Sequence, residues 1–244
     1  MNLTTRVALV TGGAVRIGRA LSLALAGEGM RVVIGYDRSG EEAERLVNEI
    51  RAGGGEAAAV GADLSRMDGV RFLAREAEAA FGGVDVLVNN ASVFPDAAFG
   101  EVDEALWDHT FAVNLRAPFF LTQLLAPGMR ARGGGVVVNL ADLAGVQTWR
   151  GYAAHSISKA ALIHFTKVAA RTLAPEVRVN AIAPGTVLPP EEFSDSEVAR
   201  LAARAPLGRN GSPADVAVAL LYLLRADYVT GEVLTVDGGR TLRA

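Results

Sequence analysis

The sequence predicts a doubly wound α/β domain, with one seven-stranded parallel sheet flanked by helices on both faces. Three observations carry that prediction. Short apolar runs alternate with longer segments of helical period along the whole chain. The 244 residues, 50% of them hydrophobic, suffice for one buried core and therefore one domain, 1–244. A glycine-rich turn from Thr11 to Gly18 follows the first apolar run directly and opens into an apolar-periodic helix.

Strands are expected near residues 6–11, 31–35, 57–62, 84–89, 135–140, 177–182 and 233–236. Helices are expected near 17–28, 41–52, 67–81, 152–173 and 213–224, with a long one before the fifth strand, broken about Pro118. The last helix has the clearest start: Ser212 can cap free amides, Pro213 suits the first turn, and Asp215 opposes the helix dipole. Residues 184–209, rich in proline and charge, interrupt the alternation and are too long for an ordinary connection, so they read as a substrate loop or lid.

Composition excludes several classes. There is no cysteine, which removes disulfides, thiolate metal sites and cysteine nucleophiles together. The three histidines, His109, His155 and His164, lack zinc-site spacing, so no metal is expected. Net charge is −3 with scattered basic residues, which argues against a nucleic-acid or anionic-membrane partner. A strand-like run begins at Val7, leaving no space for an export signal, and no apolar stretch reaches about twenty residues. A cytoplasmic location is expected.

The turn after the first strand is built for a phosphate: glycines let the backbone approach, and free amides at the helix start meet the charge. The second strand ends near Tyr36, where an acidic residue ordinarily binds a ribose 2′-hydroxyl. Here Tyr36 is followed by Asp37, Arg38 and Ser39. Guanidinium groups at Arg16 and Arg38, with a hydrogen bond from Ser39, suit a 2′-phosphate, so NADP(H) is favoured over NAD(H), with Asp37 opposing that preference. Asp63, at the end of the third strand, is positioned to accept from an adenine amino group, while Asn89, Asn90 and Ala91 end the fourth at the sheet's carboxyl edge.

The Thr11–Gly18 turn, Asn-Asn-Ala-Ser at 89–92, Asn114, Ser-x-Ser-Lys ending at Lys159, Pro-Gly-Thr at 184–186 and Val-Asp-Gly-Gly at 236–239 together resemble the classical short-chain dehydrogenase/reductase family, a single Rossmann-type domain. Within it the chain is most similar to pteridine reductases, in Arg16, the Arg38–Ser39 pair, Phe94 two residues after Ser92, and aspartate at Asp142. The resemblance implies cofactor contacts from Gly12, Arg16, Ile17, Gly18, Arg38, Ser39, Asp63, Leu64, Asn90, Ala91, Lys159, Pro184 and Gly185. It implies substrate contacts from Arg16, Ser92, Phe94, Asp142 and His155, with Phe94 stacking a flat pterin against the nicotinamide. It also implies a homotetramer, formed through the two long helices after the fourth and fifth strands.

The catalytic row departs from the family pattern. Relatives place a proton-donating tyrosine four residues before the lysine, on one helical face, and this chain has His155 there. Tyr152 is seven residues from Lys159, about 10 Å along the axis, and is a poor substitute. Lys159 is one of only two lysines in a chain that otherwise uses arginine, so a compact ammonium is wanted there. Asp142, thirteen residues before His155, is placed to pair with an imidazolium or pass on a proton, or else to cap its loop. The family pattern gives Asn114 a water that joins Lys159 to solvent. An imidazole titrates near neutrality, so a histidine donor makes turnover fall as pH rises.

Three functions follow from these residues. The first is an NADPH-dependent reductase of a pterin, with the proton from His155 or Asp142. The second is a carbonyl reductase acting on 3-oxoacyl thioesters. The third is an NADP(H)-binding homologue whose catalysis ended with the tyrosine.

Overall fold

Five residues, Val-Ala-Leu-Val-Thr, form β1 (Val7–Thr11), and all five are buried. A strand apolar on both faces belongs in the middle of a sheet covered on both sides, and β1 lies there. The other strands are β2 (Arg31–Tyr36), β3 (Ala57–Gly61), β4 (Val86–Asn89), β5 (Gly135–Leu140), β6 (Val177–Pro184) and β7 (Val233–Val236). All pairings are parallel, in the order β3-β2-β1-β4-β5-β6-β7. The order reverses between β1 and β4, and there the loops at the carboxyl ends part to leave a crevice. The computed structural model describes residues 2–189 and 193–242.

The helices are α1 (Arg16–Gly27), α2 (Gly40–Ala52), α3 (Met67–Phe81), α4 (Glu104–Phe111), α5 (Ala117–Ala131), α6 (Ala153–Leu173), α7 (Asp195–Ala202) and α8 (Pro213–Arg225). Alternate strand residues feed two core layers. Ala8, Val10, Ile34, Val88 and Val138 pack with Leu21 and Leu25 of α1, Leu46 of α2 and Leu220 of α8. Leu9, Val33, Leu87 and Val137 pack on the other face with Leu73 of α3, Leu121 and Leu125 of α5, and Ala169 of α6. Each buried leucine stabilises the fold by about 1.5–3 kcal/mol.

One expectation is corrected. The break in the long helix lies at Ala112–Arg116, a five-residue π turn, and not at Pro118. Pro118 sits in the first turn of α5, where its missing N–H costs nothing. Within residues 184–209 lies α7, a helix that the sequence reading does not place. Ser194 and Glu197 cap its start reciprocally, Ser194 N donating to Glu197 Oε2 at 2.9 Å and Glu197 N to Ser194 Oγ at 3.4 Å. The Ser-x-x-Glu pair is the sequence signal for this helix, and the sequence reading passes over it. Residues 190–192 of this segment lie outside the described residues. The α8 boundary matches its reading: Ser212 and Asp215 form a second such box, and Arg209 grips both Asp215 oxygens at 3.0 and 2.9 Å.

Candidate active site

The turn after β1 is held open by neighbours and by glycine. Asn90 Nδ2 donates to the carbonyls of Thr11 and Gly12 at 2.9 and 3.0 Å, and Thr11 Oγ1 accepts from the amides of Asn90 and Ala91, both at 3.0 Å. A Cβ on Gly18 would stand 2.0 Å from Gly12 O, so no side chain fits there. Arg16 opens α1 in the left-handed region, at φ 51°, a conformation that costs a non-glycine residue free energy. The first turn of α1 has neither a side-chain cap nor an acidic residue, which leaves its amides free for an anion.

These groups line a cleft of about 530 Å³ together with Ile17, Arg38, Ser39, Asp63, Leu64, Ala91 and Ser92. Ten expected cofactor residues are thereby brought together. Arg38 is 93% exposed on its side chain and lies 3.6 Å from Asp37, whose carboxylate is turned toward it. Asp63 is more constrained than its reading suggested, since the hydroxyl and amide of Ser65 bond its carboxylate and hold its pKa below the usual value. His109 and Val113, from the segment after β4, also line the cleft and escaped the sequence reading, because no motif marks them. The remaining cofactor candidates, Pro184, Gly185 and Lys159, stand outside this lining. Gly185 packs so tightly that a Cβ would meet Asp237 Cα at 2.8 Å.

The catalytic row lies deeper. Lys159 is 3% exposed, and its Nζ donates to Leu140 O at 2.7 Å, its one hydrogen bond among the described residues. Burial lowers its pKa to about 8, with Asp142 opposing the shift. An ammonium so short of acceptors fits a ribose that brings hydroxyl oxygens. His155 is 1% exposed. Its Nδ1 lies 3.1 Å from Val93 O and 3.5 Å from Asn114 Nδ2; since a carbonyl only accepts, the shorter contact is a hydrogen bond in the tautomer with the hydrogen on Nδ1. Nε2 is left without a hydrogen-bond partner among the described residues and faces Asp142 Oδ2 at 3.5 Å. Asp142 has two tasks, because its Oδ1 also accepts from Ala144 N at 2.8 Å and caps a short turn.

The side chain of Asn114 is held by its protein neighbours. Its Oδ1 accepts from Ser92 Oγ and Val93 N, and its Nδ2 donates to Val93 O and Ser158 Oγ. Those four bonds exhaust an amide's capacity. Asn114 therefore clamps the loop after β4 onto α6. Phe94, on that loop, is half exposed and stands outside the dinucleotide cleft. One face stacks on Tyr152, centroids 4.4 Å apart, and its ring meets His155 edge to face at 4.4 Å. Tyr152 is thus a packing partner at the start of α6, with its pKa raised first by burial and then by Asp96.

Among the described residues no cluster of three or more metal-ligating side chains occurs, and no helix is long and apolar enough to cross a membrane. A phosphate cradle at the β1–β4 crevice, with a lysine and an acid pair beside it, defines a dinucleotide-dependent oxidoreductase. The family model described as enoyl-(acyl carrier protein) reductase matches residues 13–241. The chain belongs to the short-chain dehydrogenase/reductase family. It is 38% identical over 237 residues to the 3-oxoacyl-[acyl-carrier-protein] reductase FabG of Staphylococcus epidermidis, covering 95% of this chain and 97% of that one. Among solved structures, FolM alternative dihydrofolate reductase 1 from Brucella canis, complexed with NADP, superposes with a TM-score of 0.93 at 37% identity, covering 99% of this chain and 96% of the other. A blue fluorescent protein from a metagenomic library, in complex with NADPH, gives a TM-score of 0.92 at 33% identity, covering 98% and 99%.

Proposed function

We propose that this chain is an NADPH-dependent reductase of a pterin, a dihydropteridine or dihydrofolate-like ring. The observation that carries the reading is the His155–Asp142 pair beside the half-exposed ring of Phe94. The cofactor is NADP(H): both structural neighbours named above were solved with NADP or NADPH, and Arg16 and Arg38 stand on the cleft wall to meet a 2′-phosphate. When bound, the nicotinamide supplies a hydride. Lys159 holds the ribose hydroxyls, and the α1 amides hold the pyrophosphate.

The proton comes from the protein. With Nδ1 committed to Val93 O, Nε2 is the working atom of His155. In the imidazolium form it donates toward Asp142 or toward a substrate nitrogen lying beside the pair. A ring C=N nitrogen takes a proton from such an acid readily, whereas this row lacks the tyrosine hydroxyl that relatives present to a carbonyl. Assembly as a cytoplasmic homotetramer completes the proposal. An apolar hollow on α4, α5 and α6, lined by Phe111, Phe119, Phe120 and Phe165, supports the assembly.

The second reading, reduction of 3-oxoacyl thioesters, is favoured by the FabG relatives. The deciding experiment follows NADPH oxidation with 7,8-dihydropterins and with acetoacetyl thioesters, on the parent and on His155→Tyr. Turnover of pterins that falls at least tenfold in His155→Tyr is expected. Thioester turnover that rises in the variant would replace the proposal with the second reading.

A further inference from the structure

A half-buried guanidinium stands close to the catalytic row, away from the dinucleotide cleft. Arg240 follows the glycine pair after β7, where Gly238 and Gly239 are both left-handed at φ 64° and 84°. The turn is pinned by Asp237, whose carboxylate accepts from the amides of Gly239 and Thr241 at 2.8 and 2.7 Å. Arg240 Nη1 donates to Thr186 Oγ1 at 2.7 Å, and its Cζ lies 5.6 Å from the ring centroid of Trp149. Trp149 meets both Phe94 and Tyr152 edge on, each at 6.4 Å. The guanidinium therefore joins the aromatic wall that ends beside His155.

This cation is short of negative charge. No carboxylate of the described residues lies within ion-pair distance of it. Two acids act on it from further off: Asp142, which faces His155, and Asp237, already spent on its amides. Arg204, exposed after α7, adds like charge. Burial first, and Arg204 second, hold the pKa of Arg240 below that of an ordinary arginine. The side chain also lines a cavity of about 460 Å³ with Thr186 and Pro206.

We propose that Arg240 is a substrate-anchoring residue that pairs with a carboxylate on the tail of a flat heteroaromatic substrate whose ring lies against Phe94. The inference rests on the pterin reading above and narrows it to pterins that carry an acid. A guanidinium held against an indole presents its remaining N–H donors in one plane, which matches a planar carboxylate bidentately.

The test compares dihydrofolate, which carries carboxylates, with dihydrobiopterin, which has none, on the NADPH-loaded parent, Arg240→Gln and Arg240→Lys. In Arg240→Gln the ratio of kcat/KM for dihydrofolate over that for dihydrobiopterin falls about tenfold or more, chiefly through KM. Arg240→Lys recovers part of that loss, because it keeps the charge without the fork. Thermal midpoints within a few degrees of the parent show that the variants fold. Equal losses for both substrates, or no loss, overturn the inference and leave the pterin reading standing. If the parent turns over neither pterin, the pterin reading has failed and the anchoring role falls with it.

Discussion

The two ends of this active site are built on opposite terms. At the dinucleotide end polar groups are left unspent: the α1 amides have no side-chain acceptor, and Arg38 is 93% exposed. At the catalytic row the side chains are buried, and Asn114 is fully bonded, while Lys159 Nζ and His155 Nε2 keep unspent capacity among the described residues. Asn114 fills all four of its positions, Lys159 and His155 are 3% and 1% exposed, and Nδ1 of His155 is committed to a carbonyl. A large charged ligand with fixed chemistry is met by an open, prepared surface. The catalytic row is instead buried, with His155 Nε2 unpartnered among the described residues and facing Asp142, and the proton path proposed above runs through that atom.

Lys159→Met breaks this contrast most severely. Loss of the ribose-holding donor is expected to lower kcat about 10²–10³-fold, read from NADPH turnover. The same change should stabilise the cofactor-free protein at pH 7, since among the described residues the buried ammonium has Leu140 O as its one hydrogen-bond partner. The folded pKa of about 8 lies below the ordinary lysine value of 10.5, so below pH 8 the folded state bears the whole cost of burying the cation. Stability of the parent should rise as pH climbs from 8 to 10.5 and the folded state sheds that proton first. The variant's advantage in urea midpoint should shrink over the same window. An advantage that grows with pH would mean that the lysine is not stored as a costly cation.

Asn114→Ala attacks the locked end through its clamp. Four hydrogen bonds disappear, and Val93 O and Ser158 Oγ each lose a donor. Destabilisation of about 3 kcal/mol is expected from the lost bonds and the buried groups left unpaired. Faster amide exchange at Val93 would locate the damage in the loop after β4. A cost under about 1 kcal/mol would show that this loop is held by its aromatic contacts with Tyr152 and His155.

The open end was the more legible in sequence, for the same reason that it is open. Gly12, Gly18, Arg38 and Ser39 line one cleft, and the spacing of a glycine-rich turn and a strand end along the chain was enough to read them together. All seven strands were readable too, because a doubly covered parallel sheet leaves contiguous apolar runs such as Val7–Thr11. The locked end was less readable because its partners are remote in sequence. Asn114 reaches Val93 and Ser158, and His155 reaches Val93 and Asp142, and no local pattern encodes such pairings. Helix α7 was hidden differently: its Ser194–Glu197 box is short and lies in a charged, proline-bearing stretch.

The smallest expected effect sharpens the comparison from the open side. Arg38 is nearly free in solvent, so its attraction for a 2′-phosphate is screened by water and salt. Arg38→Ala should raise the Kd for NADPH about five- to tenfold, while the Kd for NADH moves less than twofold. Asp37→Asn should act in the opposite direction, tightening NADPH a few-fold by removing the carboxylate that sits 3.6 Å from Arg38. Both changes should fade as ionic strength rises, which fluorescence titration in low and high salt would reveal. A loss in Arg38→Ala equal for both dinucleotides would assign phosphate selection to Arg16, which lines the same cleft and whose Nη2 donates to Leu188 O at 3.4 Å.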